Sequence, residues 1–263
     1  MPNFEHDTRV AQAQTGWQAT LSPNWQVQGP QGGYVAAIAL RAMAAAVEEG
    51  FIPVSLTGQF LTSATAGPAE IDATLLRQGR QAAFTTSTVK QEGKARLGAS
   101  ACFFHPNDGP GLLKLTPPDL PPPEQCQPMI MRASDGQRFT FHENLELLLP
   151  EDAGLGATRD EFVFWARYRE QSWGDDPLIH AAALIPLLDM AVFPASYQAI
   201  PTLRGAVSLD LTIHWHNRQA GDTWIGMRGR CQHAGGGMLN GWAEAWTPEG
   251  VLLATGTQQV VIR

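Results

Sequence analysis

One carboxylate interrupts the apolar stretch "AAALIPLLDMAVF" (181–193), and that residue, Asp189, is where chemistry would be looked for first. A buried ionised side chain needs partners to offset its desolvation, and desolvation raises its pKa toward the range of a general base. The competing reading puts Asp189 on a solvent-facing edge beyond Pro186. In "VSLDLTIHWH" (207–216), Ser208 and Asp210 stand two apart, which on a strand turns both to one side of the sheet. Ser208 reads by itself as a strand-end hydroxyl. Asp210 reads as structural, accepting a backbone amide at a strand end or forming a salt bridge. Gln258, on the last strand, would ordinarily be solvated, and so would Gln259, which faces the opposite way. Gly32, Gly33 and Tyr34 open an apolar helix whose N-terminal N–H groups suit a carbonyl oxygen or a phosphate; tight helix entry is an equal alternative.

Other chemistries find less support. No GxSxG elbow occurs: "GASAC" from Gly98 ends in cysteine and lies in a strand pattern, which disfavours an α/β-hydrolase. His214 and His216 share a strand face, yet neither HExxH nor paired carboxylates accompany them, so they read as strand-face residues with a metal role as the lesser alternative. "HAGGG" (233–237) lacks the ending of a phosphate loop and reads as a turn. Cys102, Cys126 and Cys231 show no CxxC spacing and read as inert, buried thiols.

The elements that must position these residues come twice. "GPQGGYVAAIALRAMAAAVEEG" predicts a helix capped by Gly50 and apolar almost all round, so a curved sheet must wrap it. The strands "VSLTGQFLTSA", "AEIDATLLRQGR", "AAFTTSTVKQEG" and "KARLGASACFF" follow as an antiparallel meander. After a proline-rich segment (105–128) the recipe returns. "LIHAAALIPLLDMAVFPAS" is the second helix, followed by "VSLDLTIHWH", "TWIGMRGRCQHA", "MLNGWAEAWTPEG" and "VLLATGTQQVVIR". Turns correspond, Gly67 with Gly221 and Glu92-Gly93 with Glu249-Gly250, and "VSL" at Val54 echoes "VSL" at Val207. Gln258 falls where the first half has Ala101, and the first helix has no carboxylate, so the second half is the one equipped for chemistry. The reading is a repeat over 1–104, a linker over 105–128 and a second repeat over 129–263.

Composition sets the limits. The 263 residues are 44% hydrophobic with a net charge of −7 and no Lys/Arg run, which argues against nucleic-acid or anionic-membrane partners. Both apolar runs are interrupted and shorter than the roughly 20 residues of a membrane span. The polar start "MPNFEHDTRV" does not resemble a signal peptide, so a cytoplasmic location is expected.

The glycine pair opening an Ala-rich helix, "SLTGQFL" and "RQGRQAAFTTSTVKQEG" resemble the first half of the acyl-CoA thioesterase II type. "SLDLTIHWH", "GDTW", "RCQHAGGG" and "TPEGVLLATGTQQ" resemble its second half more closely. The resemblance implies an α+β double hotdog, two antiparallel sheets joined edge to edge, each wrapping one helix. It implies a catalytic set of Asp189, Ser208 and Gln258, with Ser208 where threonine is usual and Gln31 where many relatives carry histidine. Thioester hydrolysis needs an activated water and donors for the carbonyl oxygen; a carboxylate flanked by a hydroxyl and an amide meets the first need, and Gly32, Gly33 and Tyr34 the second. Hotdog hydratases pair Asp with His on the helix; no histidine follows Asp189 there, so dehydration is disfavoured. The expectation is an acyl-CoA thioesterase of lipid metabolism acting on an acyl-CoA or acyl-carrier thioester, with no cofactor or metal, assembled as a homo-oligomer that covers sheet edges. The alternatives are a protein that binds acyl thioesters without turnover, and a scaffold whose partner site is "PPDLPPPEQ" (117–125).

Overall fold

The computed structural model describes residues 3–107, 115–131, 136, 139–151, 160–170, 176–217 and 223–262. In the first half, α1 (Phe4–Asp7), β1 (Ala11–Gln12) and β2 (Trp17–Leu21) precede the helix α2 (Gly32–Ala44). Then come β3 (Ile52–Phe60), β4 (Gly67–Gln78), β5 (Ala82–Gln91) and β6 (Lys94–Phe104). The second half begins with β7 (Gln127–Pro128), α3 (Thr140–Glu143), β8 (Leu145–Leu149) and β9 (Glu161–Tyr168), which lead to α4 (Pro177–Ala199). It finishes with β10 (Ala206–Ser208), β11 (Asp210–Trp215), β12 (Ile225–Gly235), β13 (Met238–Trp246) and β14 (Leu252–Ile262).

All described strands form one antiparallel sheet in the order β1-β2-β4-β5-β6-β3-β11-β14-β13-β12-β9-β8-β7, with β10 paired to β14. Apart from β7, the order is symmetric about the junction of β3 and β11, where Thr57 lies opposite Thr212 and their hydroxyls meet at 3.2 Å. This is the double hotdog that the resemblance implies.

The alternating patterns name the strands because one face is buried and the other wet. In β5 every second residue is buried, from Ala83 to Gln91. The helices lack such a pattern because the sheet and the other helix leave no wet face: α2 is buried from Gly33 to Leu40, and α4 from Ile179 to Val192. Arg41 fits on α2 because its guanidinium donates to the Glu5 carbonyl at 2.5 Å and to the Thr8 hydroxyl at 2.7 Å. The chain leaves α2 earlier than expected. The helix stops at Ala44 and runs on as tight turns, Ala46 N–H to Met43 O and Val47 N–H to Ala44 O, so Gly50, at φ +92°, shapes the later loop rather than the cap.

Three further expectations need correction. The second helix has 23 residues, long and apolar enough on those grounds to cross a membrane, but 89% of its most apolar window is buried inside the protein. The three cysteines are half-buried rather than buried. The "VSL" echo is also not the structural correspondence. β3 is bulged against β6 between Pro53 and Ser55, and a one-residue slip against β14 separates Ser208 from Thr212, so Val54 corresponds to Leu209. The Glu92-Gly93 and Glu249-Gly250 turns do occupy matching hairpins, β5–β6 and β13–β14; Gly221 lies outside the described residues. Of the proline-rich segment, residues 115–128 lie along the second half. The Pro121 carbonyl accepts from the Trp165 indole at 2.7 Å, and Gln127 and Pro128 pair with β8. Residues 108–114 lie outside the described set.

Candidate active site

Asp189 sits in the fourth turn of α4, only 3% exposed, at the point where α4 meets the N-terminus of α2. The two helices come this close because of Gly33: a Cβ there would stand 2.7 Å from Pro186 Cα and 2.8 Å from the Ile185 carbonyl. The contact aims the first turn of α2 at the carboxylate. Gly33 N–H donates to Asp189 Oδ2 at 2.8 Å, and the Gln31 amide donates to the same oxygen at 2.5 Å. Gln31 also caps the helix, its Oε1 accepting from Tyr34 N–H at 2.7 Å.

The other carboxylate oxygen belongs to the second half. Gln258, 1% exposed, donates to Asp189 Oδ1 at 3.0 Å and to the Asp189 main-chain carbonyl at 2.8 Å, which fixes the orientation of its amide. The Ser208 hydroxyl lies 3.4 Å from Asp189 Oδ1 and 3.3 Å from Gln258 Oε1, and its one proton serves either acceptor. Burial pushes the Asp189 carboxyl up to about 6, while the hydrogen bonds from Gly33, Ser208, Gln258 and Gln31 pull the other way. The carboxylate is held by dipoles, with no ion pair to it among the described residues.

The structure thus brings Asp189, Ser208 and Gln258 together, and the solvent-edge reading of Asp189 does not hold. Ser208 and Asp210, however, do not share a face. The slip at Leu209 inverts the alternation, so Ser208 faces α4 together with Leu211 and Ile213, and Asp210 turns away. The Asp210 carboxylate accepts Gln259 N–H at 2.8 Å, the strand-amide role read for it.

The helix mouth also departs from expectation. Gly33 N–H is committed to Asp189 and Tyr34 N–H to Gln31, so neither is an open donor; Gly32 N–H has no partner among the described residues. The Tyr34 hydroxyl is structural, donating to the Asp7 carbonyl at 2.6 Å and accepting from Ser22 N–H at 3.1 Å. Two contributors escaped the sequence reading. Gln31 is a direct donor to the carboxylate, and its position just before a glycine-opened helix was the available signal. Phe60 lays its ring over Gly32, with a Cβ on that glycine falling 2.8 Å from the ring and 3.3 Å from Asp189 Oδ2; nothing in the local sequence announces it. His214 and His216 lie on the outer part of β11 and its end, and among the described residues no group of three His, Cys, Asp or Glu side chains is placed to hold a metal.

A sequence profile described as the acyl-CoA thioesterase N-terminal domain matches residues 21–104, and one described as the acyl-CoA thioesterase C-terminal domain matches residues 123–262. Among curated proteins no sequence matches significantly. Among solved structures, a conserved hot dog fold protein of unknown function from Alicyclobacillus acidocaldarius superposes with a TM-score of 0.88 at 22% identity, covering 99% of this chain and 97% of its own. The acyl-CoA thioesterase II TesB2 from Mycobacterium marinum gives 0.81 at 21%, covering 99% and 98%. The tesB protein of Mycobacterium avium subs paratuberculosis gives 0.80 at 16%, again covering 99% and 98%. At these identities the superpositions speak for the fold, and the two matched domains speak for the family. The chain belongs to the acyl-CoA thioesterase family, as a double hotdog of the thioesterase II type.

Proposed function

We propose that the protein hydrolyses acyl-CoA thioesters with Asp189 as general base toward water. The observation that carries this reading is the convergence of four uncharged donors, from α2, α4's neighbouring strands and the Gln31 cap, on one buried carboxylate poised near pH 6. Such a carboxylate is ionised at neutral pH yet basic enough to take a proton in the transition state.

In this reading a water bound beside Ser208 donates to Asp189 Oδ1, while the Ser208 hydroxyl and Gln258 Oε1 fix its remaining positions. Its oxygen attacks the thioester carbonyl carbon as the proton passes to Asp189. In this reading Gly32 N–H, which has no partner among the described residues, takes the charge developing on the carbonyl oxygen. Collapse breaks the C–S bond, and the proton returns from Asp189 to the departing thiolate, leaving free acid, thiol and a regenerated carboxylate.

The test is thiol release across acyl-CoA chain lengths by the wild type and Asp189→Asn. Turnover that falls by about two orders of magnitude or more in the variant supports the assignment. A wild type that releases no thiol from any acyl-CoA overturns it.

A further inference from the structure

The palindrome of strands gives the Asp189 site a mate, and the registers say which residues occupy it. Around the Thr57–Thr212 pair, β3 maps onto β10 and β11, so Pro53 takes the place of Ser208 and Trp215 that of Phe60. Pairing to the next strand maps β6 onto β14, which puts Ala101 in the place of Gln258. Laying "IALRAM" (38–43) on "IPLLDM" (185–190) puts Ala42 in the place of Asp189 and His180 in that of Gly33. Base, hydroxyl and amide are all missing from the mate.

The space is still there. A cavity of about 550 Å³ takes in three of the mapped positions, Pro53, His180 and Trp215, and is walled also by Phe104, Ala181 and Leu184; Ala42 and Ala101 do not line it. That volume is in the range of small-molecule sites, roughly 300–1,000 Å³. Trp215 is fixed as a wall by donating its indole N–H to the Ala181 carbonyl at 3.1 Å, much as Phe60 walls the Asp189 site. The polar side chains on the lining are Asn107, His180, His216 and Asn217, with no carboxylate among the described lining residues. Apolar walls favour an aliphatic chain, and polar residues without acidic ones favour a carboxylate or carbonyl head group over an amine.

We infer that this cavity is a second acyl-binding site that holds an aliphatic acyl group, as the free acid or as its CoA thioester, without hydrolysing it. The choice of an acyl ligand rests on the proposed thioesterase function; the site itself rests on the duplicated geometry. Calorimetric titration tests it with two probes, decanoate and S-decyl-CoA, a thioether that cannot be hydrolysed. The wild type is expected to bind about two equivalents of at least one probe. Ala181→Phe, which fills the cavity, is expected to lose one equivalent while its acyl-CoA hydrolysis stays within about twofold of wild type. Val54→Trp, from the strand wall of the same cavity, provides a second block should Ala181→Phe fail to fold. Loss of decanoate binding assigns the site to the free acid, and loss of S-decyl-CoA binding alone assigns it to the thioester. A single equivalent of both probes on the wild type, or two that persist in both blocked variants, overturns the inference. A wild type without hydrolytic activity that still loses one equivalent on blocking would sink the thioesterase reading and leave the second site standing.

Discussion

If Asp189 is the base, the pH dependence of hydrolysis is set by burial and by four hydrogen bonds, and its size can be worked out. With the carboxyl at about 6, close to nine-tenths is ionised at pH 7 and about one-tenth at pH 5, so kcat/KM should fall roughly tenfold between them. Asp189→Asn should remove this acid limb together with about two to four orders of magnitude of rate. The same shift is a stability statement. The folded carboxyl titrates near 6 and the unfolded one near 3.8, so the folded state holds the extra proton between them. Its stabilising contribution is fully present below about 3.8 and is lost as pH rises through 6. Relative to wild type, Asp189→Asn, which does not titrate, should therefore gain about 3 kcal/mol from the acid end of that window to pH 7. The assays are pH-resolved thiol release and urea denaturation of both proteins. A wild-type profile flat from pH 5 to 7, or an Asn variant that keeps the limb, would refute the reasoning.

Ser208→Ala removes a donor that holds the carboxyl down, so the acid limb should move to higher pH and the rate fall by about tenfold, while Ser208→Thr keeps the hydroxyl and most activity. Gln31→Leu should move the limb the same way and also cost about 1 kcal/mol of stability through the lost helix cap, read by thermal unfolding. Gly33→Ala forces a methyl against Pro186 and Ile185 and should destabilise by about 1–3 kcal/mol; an unchanged Tm would show that the helices are not held this tightly. Away from the site, Arg228 pairs with Glu244, 4% exposed and also bonded to the Trp246 indole at 2.9 Å. Arg228→Met should cost about 3–5 kcal/mol in chemical denaturation, and adding Glu244→Leu should recover only part of it, because the buried Trp246 indole then loses its acceptor.

Much of this was legible in the sequence because local rules govern it. Period-two patterns marked the strands, all-round apolarity marked two enclosed helices, and Glu-Gly turns fixed matching hairpins. The lone carboxylate of an apolar helix pointed to Asp189, and the spacing of the halves put Gln258 opposite Ala101. The tertiary structure alone decided what depends on register and close approach. A one-residue slip at Leu209 sends Ser208 to the helix and Asp210 away from it, which period counting cannot foresee because a bulge leaves residue types unchanged. Packing of Gly33 on Pro186 turns a helix N-terminus from an open donor site into a clamp on Asp189, and brings in Gln31, 158 residues away along the chain. Sequence supplied the groups; the distances that make them a site arise only when two helices and a bulged strand from separate halves are pressed together.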